Sequence, residues 1–214
     1  MKVWVTRAEP GASRTAERLR EMGHEPLTAP VLEGLRLLTE IDLKGVGSLA
    51  FTSGNGVRAF AGMNPERGLP VFAVGEATAR AVRDAGFGII ISGGGDVAAL
   101  ARTIAGVSFS PGGEVLFAGA AEPAGDLIGD LTARGVPARA VAVYEILPTG
   151  AQPPPGAEAV LVHSPKAGGM LAAIEGLDLP AFCISPAAAA PLAGWTHVRA
   201  AAAPTEADLL ALLS

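Results

Sequence analysis

The sequence is poor in the residues that most often declare a function. It carries a single cysteine, Cys183, in 214 residues. One thiol cannot build an internal disulfide framework and fits a reducing compartment. The three histidines, His24, His163 and His197, lie far apart and supply no dedicated transition-metal site, so no metal is expected. Aromatic residues make up 5% of the chain, too few for a base-stacking platform or an aromatic cofactor box. No basic block offsets a formal charge of −5, which argues against nucleic acid as a partner. No apolar run approaches the roughly 20 residues of a membrane span. The opening MKVWVTRAEPG reaches Thr6 and Arg7 too soon for a signal-peptide core. A cytoplasmic, membrane-free protein is therefore expected. No G-x-G-x-x-G follows the first apolar run, and neither a Walker lysine motif nor G-x-S-x-G occurs.

What is present is material for packing. Half of the residues are apolar and only 17% are charged, which favours a folded chain over a disordered one. Short apolar runs alternate with helical stretches. Strands are predicted at Val3–Thr6, Leu49–Thr52, Val71–Val74, Ile89–Ile91, Val115–Ala118, Ala159–Val162, Ala181–Ile184 and Val198–Ala201. Helices are predicted near Ser13–Met22, Asn55–Ala61, Glu76–Ala85, Asp96–Ala105, Ala124–Arg134, Pro165–Ile174 and Thr205–Leu213. Gly23 follows the first of these as a helix stop should. Continuous apolar strands alternating with helices indicate an α/β protein with parallel sheets covered on both faces.

The chain also repeats itself. VWVTRAEPGASRTAERLREMGHE matches VLFAGAAEPAGDLIGDLTARGVP, and LAFTSGNGVRAF matches AVLVHSPKAGGML. LPVFAVGEATARAVRDAGF matches LPAFCISPAAAAPLAGW, and GDVAALARTI matches TEADLLALLS. The offsets nearly agree: Val5 to Phe117 is 112, Ser53 to Ser164 is 111, Leu69 to Leu179 is 110 and Leu100 to Leu209 is 109. Four segments in one order at one offset indicate two copies of a doubly wound, flavodoxin-like unit.

Glu25–Glu40 and Ala138–Thr149 are extended, Pro-bearing segments that could cross between the copies and pair as a two-stranded antiparallel linker. The sequence also permits a simple split near residue 110. With crossovers, the first domain comprises residues 1–34 and 148–214, the second 40–138, and the linker strands 35–39 and 139–147.

Open parallel sheets bind ligands at the carboxyl ends of their strands. Thr6, Arg7, Ser53, Asn55, Gly75, Thr78, Gly119, Ser164 and Ser185 are expected there or just beyond. Gly lets backbone approach a ligand, and Ser, Thr or Asn either caps the following helix or donates to an anion at its positive end. Such ends favour a small carboxylate- or phosphate-rich ligand. His163 falls at a strand end, as an acid, a base or a bystander. Cys183 falls within an apolar strand as an inert thiol. The only tyrosine, Tyr144, lies in the second crossover, where a phenol is a competent proton donor or a packing group.

VTRAEP, LREMGHE, FTSGNGVRAF, AVGEATARAVRDAGF, VYEILP, LVHSPKAG and APTEADLLALL, in this order along nearly the whole chain, resemble the uroporphyrinogen-III synthase family. That resemblance implies two domains joined by a β-ladder. It implies a cofactor-free, monomeric hydro-lyase that cyclises hydroxymethylbilane, a linear tetrapyrrole with eight carboxylates, with loss of water and inversion of ring D. It places Ser53, Thr78 and Ser164 against the substrate and Tyr144 beside the departing hydroxyl. The sequence departs from the family at Ser185, Ala188 and Ala120, where Gly, Thr and a nearby Arg are common, so a non-catalytic tetrapyrrole- or polycarboxylate-binding protein is the alternative. An unrelated hinged receptor or regulatory module is a third reading.

Overall fold

The fold, obtained as a computed structural model, describes residues 1–107 and 113–214. A split near residue 110 lies outside the described residues. In chain order the elements are β1 (Lys2–Val5), α1 (Gly11–Glu21), β2 (Glu25–Thr28), β3 (Leu32–Arg36), β4 (Val46–Phe51), α2 (Gly54–Ala61), β5 (Val71–Ala73), α3 (Glu76–Asp84), β6 (Ile90–Ser92) and α4 (Val97–Gly106). There follow β7 (Glu114–Ala120), α5 (Leu127–Thr132), β8 (Ala138–Pro148), β9 (Ala159–Val162), α6 (Pro165–Ala172), β10 (Ala181–Cys183), α7 (Pro186–Ala189), a 3₁₀ turn over Ala190–Leu192, β11 (Val198–Ala200) and α8 (Glu206–Ala211). The chain divides into two compact units, one of Met1–Glu33 with Leu147–Ser214 and the other of Gly34–Ile146.

The first unit holds a five-stranded sheet in the order β11-β10-β9-β1-β2, with every pair parallel. All four residues of β9 are buried, as are Val3, Trp4 and Val5 of β1. Strands buried on both faces need no polar alternation, which is why AVLV and VWV read as unbroken apolar runs. Successive side chains serve opposite faces. Val3, Val5 and Leu161 pack with Ala12 and Leu19 of α1 and Leu209 of α8. Trp4, Val160 and Val162 pack on the other face with Ala167 and Leu171 of α6 and Ala188 of α7. Gly23, just after α1, adopts φ +80°, a left-handed conformation that glycine alone takes without strain.

The second unit repeats this plan. Its sheet runs β3-β8-β7-β4-β5-β6, and the β8-to-β6 portion is parallel throughout. Substituting β9, β10, β11, β1 and β2 for β4, β5, β6, β7 and β8 reproduces the order of the first unit. That order is the 2-1-3-4-5 of flavodoxin-like sheets. Leu49, Phe51, Leu116 and Ala118 face Val57 and Phe60 of α2 and Ala79 and Val82 of α3. Ala50, Phe72, Val115 and Phe117 face Leu100 and Ile104 of α4 and Leu127 and Leu131 of α5. Each fully buried Leu, Val or Phe contributes about 1.5–3 kcal/mol, so the two faces together supply most of what holds the sheet.

The two segments expected as linker strands are built into the sheets. Within Glu25–Glu40, Glu25–Thr28 is a sheet strand parallel to β1. Ala138–Tyr144 of β8 pairs in parallel with β7, so most of the expected 139–147 linker strand belongs to the second unit's sheet. The reason is local: the alternation in ARAVAVY suits a half-buried strand. β3 lies beside β8 at the sheet edge, where the Leu37 N–H donates to the Val143 carbonyl over 3.0 Å. β7 extends two residues beyond Ala118, so Gly119 is the buried penultimate residue of a strand and not part of a loop.

Candidate functional site

In a sheet of this order the chain winds away in opposite directions from two neighbouring strands, and the crevice beyond their carboxyl ends is where ligands bind. In the second unit those strands are β4 and β7. Ser53 follows β4. Its backbone is extended (φ −156°), and its Oγ accepts from the Gly56 N–H over 3.2 Å, capping α2. A capping oxygen still has its own O–H or a second lone pair to use. Ser53 uses it on Tyr144, whose phenolic oxygen lies 2.8 Å from Oγ. Tyr144 comes from β8 in register with Ala120 at the end of β7. Its ring is buried with Val143, Leu116 and Val57. The sheet thus fixes the ring, and the helix cap fixes the direction of its hydroxyl.

Tyr144 forms one wall of a cavity of about 330 Å³, lined also by Gly34, Arg36, Asn55, Arg58 and Ala59. The Asn55 carboxamide oxygen accepts from Arg58 Nη2. Asn55 rests against Gly34, where a Cβ would come within 3.3 Å of its amide nitrogen. Arg36 Nη1 reaches the Gly62 carbonyl at the end of α2 over 3.3 Å. Among the described residues, no carboxylate lines the cavity. Its polar inventory is one phenol, one carboxamide and two guanidiniums, a set that attracts anions. Sequence reasoning missed Arg36 and Arg58. The available signal was Arg58 lying one helical turn after Asn55 within FTSGNGVRAF.

Gly75 precedes α3 in extended conformation (φ −168°), and the third residue of that helix, Thr78, is buried. A Cβ at Gly75 would lie 3.4 Å from the Gly95 Cα, an ordinary van der Waals contact. Gly93-Gly94-Gly95 is a turn whose Gly95 has φ +99°, leading into the Asp96 cap of α4. Gly119 gives way to the Phe117 ring, which would collide with a Cβ there. Gly75, Thr78 and Gly119 do not line the Tyr144 cavity.

In the first unit the corresponding strands are β9 and β1. Thr6 follows β1, but its hydroxyl donates to the Leu161 carbonyl over 2.6 Å and the residue is buried. That hydroxyl is committed to joining two strands. Arg7 is partly exposed and donates from Nη1 to Glu206 Oε2 over 2.6 Å. Gly11 leaves room for its guanidinium, whose Cζ would lie 2.6 Å from a Cβ there. Thr15 of α1 donates to the other oxygen of Glu206. His163, after β9, has a side chain only 7% exposed, with Nε2 3.6 Å from Glu206 Oε2. That separation is too long for a hydrogen bond, and among the described residues neither ring nitrogen has a partner.

Burial pushes the His163 imidazole below its ordinary value, against the pull of Glu206, so it rests neutral near pH 7. Burial pushes Glu206 up. The His163 imidazole, the Thr15 hydroxyl and the Arg7 charge outweigh it and bring the carboxyl down to about 2. By the repeat offsets, the second unit has Gly119, Thr52 and Val97 where the first has Arg7, His163 and Glu206. The fold therefore does not need this polar cluster.

Ser164 and Ser185 cap α6 and α7, accepting from the Ala167 N–H over 3.1 Å and the Ala188 N–H over 3.3 Å. Their hydroxyl protons remain available. Ala188 is buried at the start of the short α7. Cys183 is buried in β10, and burial pushes its thiol up to about 11, which keeps it protonated and unreactive. Among the described residues, no helix is long and apolar enough to cross a membrane.

The sequence profile of a family described as uroporphyrinogen-III synthase HemD matches residues 13–211. Among solved structures, a uroporphyrinogen-III synthetase from Helicobacter pylori superposes with a TM-score of 0.70 at 20% identity, covering 99% of this chain and 97% of its own. A mutant uroporphyrinogen III synthase from the extremely thermophilic bacterium Thermus thermophilus gives a TM-score of 0.56 at 18% identity, covering 100% of this chain and 97% of its own. At these identities the two structures speak for the fold. No curated protein sequence matches the chain.

Proposed function

The chain belongs to the uroporphyrinogen-III synthase family, and we propose that it carries the activity of that family: cyclisation of hydroxymethylbilane to uroporphyrinogen III, with loss of water and inversion of the terminal ring. The observation that carries this reading is the family match over residues 13–211, nearly the whole chain. The cavity of the second unit supports it chemically.

In this reading Tyr144 is the proton donor to the departing hydroxyl. Its O–H lies at the cavity wall, and Ser53 Oγ at 2.8 Å holds it in one orientation. A phenolic O–H can donate a hydrogen bond to a leaving oxygen and pass it a proton as the C–O bond breaks. A placed acid of this kind contributes typically ~10²–10⁴ in rate. Loss of water leaves an electrophilic carbon, and the remaining task is to choose which ring carbon attacks it. Positioning performs that task. In the first unit, the capping hydroxyls of Ser164 and Ser185 are the groups we assign to carboxylate binding, while Arg7 is matched to Glu206. The substrate-binding role of Thr6 is not part of this assignment, because its hydroxyl is already spent on Leu161.

Purified protein supplied with hydroxymethylbilane, followed by oxidation of the products and separation of the isomers, tests the reading. Formation of isomer III above the spontaneous background supports it. Isomer I alone would refute it, and saturable binding of the bilane in that case would leave a non-catalytic tetrapyrrole-binding protein.

A further inference from the structure

We propose that Arg36 and Arg58 form a two-guanidinium subsite that grips the carboxylate pair of one pyrrole ring of the substrate, the ring whose leaving hydroxyl faces Tyr144. This rests on the synthase reading. Eight carboxylates over four rings give two per ring, and the cavity beside Tyr144 offers two guanidiniums from different elements, β3 and α2.

Charge favours such a subsite. The protein carries a formal charge of −5 and would repel an octa-anion unless cations are concentrated where it lands. The cavity lining contains two arginines and no acid. Among the described residues, neither guanidinium is paired with a carboxylate. Arg58 donates to a neutral carboxamide and Arg36 to a backbone carbonyl over 3.3 Å. Both contacts leave most of the five N–H donors of each guanidinium unused. The paired arginines Arg7, Arg83, Arg134 and Arg139 differ, each being matched to a carboxylate. Gly34 and Ala59, both small, complete the lining of the cavity with Asn55 and Tyr144.

The geometry ties this grip to the chemistry. Arg58, Asn55 and Ser53 belong to α2 and its cap, and Ser53 holds the Tyr144 hydroxyl. A ring held by its carboxylates against Arg36 and Arg58 is thereby held in a fixed place relative to the phenol. The two arginines act as positioning and affinity groups and take no part in proton transfer.

The test uses the full chain with Arg36→Gln, Arg58→Gln, the double variant and the matching lysine substitutions. Charge-assisted hydrogen bonds contribute factors of about ten to a hundred in affinity. Each Gln variant should raise KM for hydroxymethylbilane about tenfold or more while kcat changes less than about threefold, and the Lys variants should recover part of the loss. Fluorescence titration supplies a second readout. The wild type should bind uroporphyrin III, with eight carboxylates, at least tenfold more tightly than coproporphyrin III, with four, and the double variant should lose most of that preference. A double variant with KM and porphyrin preference within twofold of the wild type overturns the subsite. If α2 unfolds in the Gln variants, the Lys variants decide, because they keep the charge and lose only the fork. If the wild type forms no isomer III but shows the porphyrin preference and loses it on Arg→Gln substitution, the synthase reading fails and the anion subsite stands.

Discussion

Replacing Tyr144 with phenylalanine separates the role of its hydroxyl from the role of its ring. The ring is buried with Leu116, Val57 and Val143, and phenylalanine keeps all of that packing. Only the oxygen is lost, and with it the 2.8 Å contact to Ser53. Ser53 Oγ continues to accept from the Gly56 N–H, so no buried polar atom is stranded and α2 stays capped. The stability cost is then that of one ordinary hydrogen bond, about 1 kcal/mol. The loss of a positioned acid is larger: ~10²–10⁴ in kcat, or roughly 3–5 kcal/mol at about 1.4 kcal/mol per tenfold. Rates of isomer III formation at saturating hydroxymethylbilane, measured beside urea denaturation of the same preparations, read both quantities. A variant whose kcat stays within twofold of the wild type refutes the role of Tyr144 in proton donation. A stability loss above about 3 kcal/mol would instead show that the hydroxyl is structural.

Two further outcomes follow from other parts of the molecule. Glu206 is held at about 2 in the folded protein against an ordinary 4.5, so its contribution is complete above about pH 5 and is lost as the pH falls towards 2. Glu206→Gln should flatten the acid limb of the stability profile across that window; parallel profiles for wild type and variant would contradict the assignment. Gly56→Ala places a Cβ 2.7 Å from the Ala118 carbonyl oxygen. The overpacking, typically 1–3 kcal/mol, should outweigh the gain in helix propensity of about 1 kcal/mol and lower the Tm by a few degrees. An unchanged or raised Tm would show that α2 shifts freely against β7.

Much of this fold can be read directly from the residues because its signals are local. Ala159–Val162 is a strand with the bounds its apolar run predicts, and the duplicated segments reappear as five corresponding strands in each of the two sheets. Misreadings arose where neighbours decide. Glu25–Thr28 contains Pro26 and only one large apolar residue, yet pairs with β1 because an edge strand needs hydrogen bonds on one side only. The short α7 lacks helical periodicity over its four residues and is fixed by the Ser185 cap and by packing on α6. The site divides in the same way. Ser53, Asn55 and Tyr144 can be singled out from strand ends and from the uniqueness of the tyrosine. The hydrogen bond that joins Ser53 to Tyr144 spans 91 residues of chain, and the Arg7–Glu206 pair spans 199, distances at which sequence spacing says nothing. Arg36 reads as an ordinary surface charge until β3 is placed beside β8.

The central claim is that this chain imposes ring inversion on a reaction that closes spontaneously without it. The fraction of isomer III, measured against protein concentration at a fixed supply of hydroxymethylbilane, tests it most directly. With an active synthase the fraction climbs with protein until nearly all product is isomer III. A fraction that stays at the uncatalysed level at every concentration would contradict it.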